Sequence, residues 1–232
     1  MKIKVLFSMS IALLLSQVNL AQTNIISSAA DLMNFLNSDL DYIEAKNDRY
    51  RTVEGSPYLD DEFLPGSLTF SNTKYTGIPL RYNIYEGYFE FQTDQGVKFF
   101  DPRVTRIDTV WLEGDTFLYV YFQDGKARKQ TFMKAVRLGP TSVYLRNAVI
   151  LTQPEESTGY TAAKPASFQK LAESIYVQVE GSPAMEFKGK KSLEEVFPEH
   201  YKELNKYIKS EKLKLKKAED VARLCEYHDG LR

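Results

Sequence analysis

The chain has 232 residues, with 30 basic and 31 acidic side chains and a formal net charge of −1. This balance argues against a nucleic-acid-binding protein, which would normally carry a basic domain, and the single cysteine, Cys225, excludes an intramolecular disulfide. The length is sufficient for one large domain, or for a medium domain with an appendage.

The first 21 residues are typical of a secretory signal peptide. Lys2 and Lys4 precede an apolar run at 5–15, and Ala21 offers a small residue for cleavage. The apolar run is too short to span a bilayer comfortably, and the region contains no cysteine that could be lipidated. We therefore expect an exported protein of a bacterial cell envelope, periplasmic or secreted, without a lipid anchor and without a transmembrane segment in the mature chain.

A short helix is predicted within the N-terminal segment 22–48. Ser28 has the position of a capping residue, and apolar residues then recur at helical spacing. These residues are Leu32, Phe35 and Leu36.

Short alternating runs separated by turn residues predict an antiparallel β-domain over 49–187. The clearest hairpin joins 80–85 to 88–92 through a turn at 86–87. The run 117–122 is apolar on both faces, which favours a central strand. Further strands are predicted at 105–112, 127–138, 142–152, 175–179 and 185–187. We expect a closed or partly closed barrel, or a sandwich, because either arrangement limits exposed strand edges.

Residues 188–232 return to helical periodicity and predict a small C-terminal helical appendage. Two apolar stripes mark two helices, which we expect to pack on the β-domain or on a partner. The stripes are Tyr201, Leu204, Tyr207 and Ile208, and then Val221, Leu224, Cys225 and His228. The predicted fold class is therefore α+β, mainly antiparallel barrel or sandwich with this appendage.

The appendage also holds most of the chain's charge asymmetry. Between Lys188 and Lys217 there are ten lysines and five glutamates, a local charge of +5. A solvated helical surface is the ordinary interpretation of such a run. The alternative is a docking face for an acidic envelope protein or an anionic surface, and the candidate binding residues are Lys212, Lys214, Lys216 and Lys217.

A second candidate binding group is the acidic run Asp60, Asp61 and Glu62. Clustered carboxylates can hold calcium, and a suitable pair can hydrolyse a glycoside. Adjacent residues of an extended segment point to opposite faces, however. A solvated acidic turn is therefore the competing interpretation.

No strong catalytic or cofactor motif is present in the sequence. The nucleophile elbow, the phosphate-binding loop and the zinc-protease motif are all missing. The two histidines and one cysteine are not the usual material of a zinc or copper centre. Cys225 and His228 could meet on one helix face, although a small apolar residue in a helix interface is the ordinary explanation of Cys225. We predict no catalytic residues, no cofactor and no metal.

Three segments together, 55–63, 79–85 and 190–227, resemble exported proteins of unassigned function that are common in Bacteroidetes-type bacteria. The resemblance covers most of the mature chain. It implies an envelope setting and carries no catalytic residues.

These observations favour a non-catalytic exported protein that acts as an accessory or docking module for another envelope component. One alternative is a carrier of an apolar small ligand, such as a lipid, inside a β-barrel. A glycan ligand and a hydrolase using Asp60, Asp61 or Glu62 are the others.

Overall fold

The computed structural model describes residues 24–26, 30–32, 34, 43–44, 50–70, 73–93, 96–102, 107–157, 159 and 162–232. The predicted signal peptide lies outside these residues, as do Ser28, Phe35 and Leu36 of the predicted N-terminal helix. Residues 30–32 and 34 are helical, and Leu32 is buried in the core.

Most of the described chain forms β-strands. The strands are β1 (Asn24–Ile26), β2 (Ile43–Glu44), β3 (Leu64–Phe70), β4 (Thr73–Asn83), β5 (Tyr88–Thr93), β6 (Gly96–Phe99), β7 (Ile107–Leu112), β8 (Asp115–Asp124), β9 (Ala127–Arg137), β10 (Thr141–Arg146), β11 (Val149–Thr152), β12 (Ser167–Lys170), β13 (Ser174–Val179) and β14 (Met185–Glu186). Three C-terminal helices follow: α1 (Lys190–Val196), α2 (Tyr201–Ser210) and α3 (Ala218–Asp229). The predicted combination of antiparallel strands and C-terminal helices is confirmed.

One large sheet has the strand order β14-β13-β10-β9-β8-β7-β3-β4-β5-β6-β2, and β1 pairs in parallel with β4. Strand β8 is central, as predicted, and its two faces contact different clusters. Phe117 packs into a cluster of aromatic side chains, whereas Val120 and Phe122 pack on the opposite face.

The sheet is not a closed barrel. Its path through the described strands has two ends, β14 and β2, which do not pair with each other. The sheet nevertheless bends strongly, because Phe89 of β5 lies 5.0 Å from Phe132 of β9 between ring centroids. The closed-barrel alternative is therefore wrong for the described residues. The edge strands at the two ends, β14 and β2, are only two residues long.

Two further differences from the sequence prediction concern strand boundaries. The predicted strand 142–152 is divided: β10 belongs to the large sheet, whereas β11 leaves it and pairs with β12. Strand β3 was not predicted as a separate strand, because Pro65 and Gly66 interrupt its alternation. Gly66 is required there, since a Cβ atom on it would lie 2.6 Å from Leu80 Cδ1 and 2.8 Å from the Trp111 carbonyl oxygen.

The helices pack on the β14-β13-β10 end of the sheet. Both predicted stripes are confirmed: Leu204, Ile208, Val221 and Leu224 are buried. They share one apolar cluster with strand residues such as Val143 and Val177. None of the described helices is long and apolar enough to cross a membrane.

Candidate functional site

The acidic candidates lie in the loop that leads into β3, and all three side chains are exposed. Asp60 Oδ1 accepts a hydrogen bond of 2.9 Å from the backbone N–H of Glu62. Asp61 Oδ1 accepts a hydrogen bond from the hydroxyl of Ser56. Two of the carboxylates therefore order their own turn, and the geometry favours the solvated acidic turn over a calcium site or an acid–base pair.

Sequence reasoning missed a buried ion pair beneath this loop. Arg81 Nη2 lies 2.7 Å from Glu90 Oε2, and only 2% of the Glu90 side chain is exposed. The Arg81 guanidinium carbon stands 3.7 Å from the centre of the Tyr58 ring and 4.3 Å from that of Phe63. Arg81 Nη1 also donates to the Asp61 carbonyl oxygen at 3.0 Å. Arg81 thus fixes the acidic loop to the sheet.

The register of the predicted hairpin contains the signal for this pair. A turn at 86–87 places residue 83 opposite 88, and Arg81 therefore opposite Glu90, as the structure has it. Opposite charges directly across an antiparallel ladder attract each other. What the sequence does not reveal is that a loop from elsewhere in the chain covers the pair.

The basic candidates lie between α2 and α3, in a segment that we call the lysine loop, residues 211–217. Lys212, Lys214, Lys216 and Lys217 are all exposed, whereas Leu213 is buried and Leu215 is half-buried. The two leucines pack into the helical cluster and anchor the loop. The lysines therefore project from a connection between helices and not from a helix face.

The lysine loop borders a groove of about 640 Å³. Lys188 and Lys190 line its other side, beside Phe187, and Lys216 lines it from the loop. Glu186 also lines the groove and forms an ion pair of 2.9 Å with Lys188. The hydrogen bond that Lys188 donates to the Glu186 carboxylate raises the pKa of Lys188, so this lysine is already partnered. The loop lysines form no ion pair within the described part of the chain.

Cys225 does not have the environment of a nucleophile. Its side chain is fully buried, and burial raises the pKa of its thiol to about 12. The thiolate is the reactive form of cysteine. The interpretation of Cys225 as a small apolar residue in the helix interface is therefore the one that the geometry favours.

His228, by contrast, lies at a cleft of about 360 Å³ between the β13–β14 hairpin and the helices. The other histidine, His200, lines the same cleft, and the two ring centroids are 5.2 Å apart. His228 Nδ1 lies 3.0 Å from Thr141 Oγ1 and 3.6 Å from Asp229 Oδ1. Burial lowers the pKa of His228, and His200 lowers it further.

Asp229 connects this cleft to the sheet. Its Oδ2 atom lies 2.7 Å from Arg137 Nη2 of β9 and accepts a 3.3 Å hydrogen bond from the Thr141 N–H. Burial alone would raise the pKa of Asp229, but the hydrogen bonds from Thr141 and Arg137 outweigh it and lower the pKa. The end of α3 is therefore held in place by a charged contact.

Comparison with known proteins gives no match to a protein-family model, to a curated protein or to a solved structure. Among the residues that the structure describes, no three His, Cys, Asp or Glu side chains form a ready metal-binding cluster.

Proposed function

We propose that the chain is a non-catalytic exported protein that docks on an acidic envelope protein through the lysine loop. The observation that carries this proposal is the exposure of Lys212, Lys214, Lys216 and Lys217 on one short segment anchored by two leucines. Like charges held together repel one another and are compensated when an acidic surface approaches.

The construction of the loop supports a protein partner over a lipid surface. Peripheral insertion into a bilayer needs apolar side chains that enter the headgroup boundary. Both apolar residues of the lysine loop, Leu213 and Leu215, pack into the helical cluster instead. The loop therefore offers charge without an apolar anchor, which suits the rim of a protein interface.

The proposal also assigns the rest of the molecule a supporting role. The Arg137–Asp229 ion pair and the apolar cluster hold the helices on the sheet, so the lysine loop has a fixed position. Preorganisation of this kind lowers the entropy lost on association. The hydrolase alternative has no assembled carboxylate pair in its support, since Asp60 and Asp61 are engaged within their own turn.

The carrier alternative also lacks a supporting observation. We regard the bent, open sheet as sandwich-like, with its concave side occupied by aromatic rings. Tyr82 lies 4.7 Å from Phe89 and 5.8 Å from Phe117 between centroids. These contacts are within the range of packed aromatic pairs, and they fill the space in which an apolar ligand would bind.

The test is affinity capture from the native envelope after mild crosslinking, comparing the wild-type chain with a charge-reversal variant, K212E/K214E/K216E/K217E. A matched control reverses four exposed basic residues on other parts of the β-domain, Lys126, Arg128, Lys129 and Lys164. We expect the loop variant alone to lose a stoichiometric acidic protein, and wild-type capture to weaken as salt screens the charges.

Two results would contradict the proposal. Equal recovery of the partner by the loop variant and the control would remove the lysine loop from the interface. Binding of the wild-type chain to anionic phospholipid vesicles, with no stoichiometric protein captured, would replace the protein partner with a lipid surface.

A further inference from the structure

The two histidines of the chain are separated by 28 positions in the sequence, yet they line one cleft. His200 directly precedes α2, and His228 lies in the last turn of α3. The sequence predicts no metal site, because two histidines and one cysteine are not the usual material of a zinc or copper centre. The packing of α3 against α2 in one apolar cluster brings them together.

We propose that His200 and His228 form a two-imidazole binding site for a divalent transition-metal ion. Imidazole nitrogen is a preferred ligand of zinc and of its first-row neighbours. A tetrahedral ion bound to two imidazole nitrogens at about 2.0–2.1 Å holds the ring centres about 5 Å apart. The observed separation of 5.2 Å between the rings meets this requirement.

The surroundings of His228 match those of a metal-binding histidine. Such a histidine usually donates its second ring N–H to an oxygen acceptor, most often a carboxylate, a backbone carbonyl or a water, which fixes the ring. Nδ1 of His228 is engaged in this way by Thr141 Oγ1 at 3.0 Å, with Asp229 Oδ1 at 3.6 Å. Nε2 is therefore the nitrogen left for an external ligand.

Asp229 supplies a second indication. Its Oδ1 atom is buried and has no hydrogen-bond partner within the described residues, whereas Oδ2 contacts Arg137 and Thr141. A buried carboxylate oxygen without a donor is costly. A metal ion on Nε2 would favour the tautomer of His228 that carries its proton on Nδ1, facing this oxygen and the Thr141 hydroxyl.

The proposed site has only two protein ligands, and this number determines the affinity that we expect for the ion. No third protein ligand is preassembled in the described structure, although Met185, Glu195 and Glu199 also line the cleft. Structural zinc sites have four protein ligands, whereas open sites leave positions to water or substrate. We therefore expect reversible binding of one ion per chain, with water or a cleft side chain completing the coordination.

The test is isothermal titration of the purified mature chain with Zn²⁺ in a non-coordinating buffer, after removal of any histidine tag. His228→Asn retains a side-chain group near the Nδ1 position but removes Nε2, and His200→Gln changes the half-buried partner. We expect one ion per wild-type chain and at least about tenfold weaker binding in each variant, since even second-shell changes cost 10–100-fold. The double variant should show only background binding of Zn²⁺.

Spectroscopy and controls separate the site from surface carboxylates. Co²⁺ should give the visible absorption of a four- or five-coordinate ion with the wild-type chain and lose it in both single variants. Glu203→Gln, on the exposed face of α2 and outside the cleft, should leave Zn²⁺ affinity unchanged, and melting curves in EDTA identify any variant that fails to fold.

Thr141→Val tests the orientation of His228. It should weaken Zn²⁺ binding about tenfold while leaving one ion per chain. The proposal is overturned if the wild-type chain binds no Zn²⁺ at millimolar concentration, or if the folded double histidine variant binds it as tightly as wild type. Loss in only one of the two single variants would also overturn it, because the site requires both rings.

Discussion

The hydroxyl group of Tyr82 donates a hydrogen bond of 3.0 Å to the backbone carbonyl of Phe132. Tyr82 lies on β4 and Phe132 on β9, and three other strands lie between these two in the sheet. The contact therefore crosses the concave side of the sheet and connects its two halves. Thr131 Oγ1 lies 3.2 Å from the same hydroxyl.

We predict that Tyr82→Phe destabilises the protein by about 1–2 kcal/mol, because the Phe132 carbonyl loses its partner in a buried position. Chemical denaturation measures this change. Tyr121→Phe is the matched control. Tyr121 is 58% exposed, so this substitution should change the free energy of unfolding of the protein by less than about 0.5 kcal/mol. Equal effects of the two variants would show that the hydrogen bond between Tyr82 and Phe132 contributes nothing to stability.

Tyr82 should also make the stability of the protein depend on pH in the alkaline range. Burial raises the pKa of Tyr82 to about 12, whereas an unfolded tyrosine titrates near 10. Stability from this group is fully present below about pH 10 and is lost as the pH rises toward the folded pKa. Tyr82→Phe should therefore flatten the decline in stability measured between about pH 10 and 12.

The ion pair between Arg81 and Glu90 should be strongly coupled. Its side chains are 15% and 2% exposed, and removal of one partner leaves the other charge poorly solvated. We expect Glu90→Ala and Arg81→Ala each to cost about 2–4 kcal/mol. The double variant should cost less than the sum of the two, with a coupling energy above about 1 kcal/mol in a double-mutant cycle.

An exposed ion pair provides the comparison. Lys164 and Glu155 are 69% and 67% exposed and lie 2.9 Å apart, so their coupling should be at most about 0.2–1 kcal/mol. Arg81→Lys keeps the charge but loses the planar contact with Tyr58 and Phe63, and it should therefore destabilise as well. Wild-type stability in Arg81→Lys would show that the aromatic contacts contribute nothing.

Alternation along the strands was sufficient to predict most of the β-structure. Leu80, Tyr82 and Ile84 alternate with polar residues, and all three are buried on one face. The sequence left a closed barrel, a partly closed barrel and a sandwich open, because local alternation does not determine whether the two ends of a sheet meet. In this chain, the aromatic contacts of Tyr82 and Phe89 with Phe132 bring distant strands of the sheet together, while its ends remain unpaired with each other.

The two candidate sites also differ in how far the sequence predicts them. The exposure of Lys212 and its neighbours follows from their alternation with Leu213 and Leu215, which is visible in the sequence. The meeting of His200 and His228 depends on how α3 packs against α2, a contact without a local signal in the sequence. Side chains brought together by packing of distant segments are the part that one sequence does not reveal.

His228 gives a second pH dependence, in acid. Burial lowers its pKa, as does His200, while Asp229 opposes both. The unfolded state therefore takes up a proton at a higher pH, near 6.5, than the folded state does. Stability contributed by neutral His228 is present above about pH 6.5 and is lost as the pH falls toward the folded pKa.

His228→Asn should remove this dependence, since asparagine does not titrate. We expect wild-type stability, measured by denaturation in EDTA, to fall as the pH decreases below about 6.5, and the variant to show a smaller slope there. The carboxyl of Asp229 has a lowered pKa in the folded state. Its contribution to stability is therefore lost only at lower pH, near and below about 3.9. An identical slope in both proteins would assign the acid sensitivity to other groups.

The reactivity of Cys225 reports how firmly the helices are held on the sheet. The thiol is fully buried and its pKa is raised to about 12 by burial, so a disulfide reagent at neutral pH should modify the folded chain only when α3 opens locally. Ser210→Cys adds an exposed thiol at the end of α2 and should react at once, while Cys225 in the same molecule reacts slowly. Asp229→Asn weakens the contact with Arg137 and should accelerate the slow phase without affecting the fast one. Rapid modification of both thiols in the folded protein would show that α3 is not held as this ion pair and apolar cluster require.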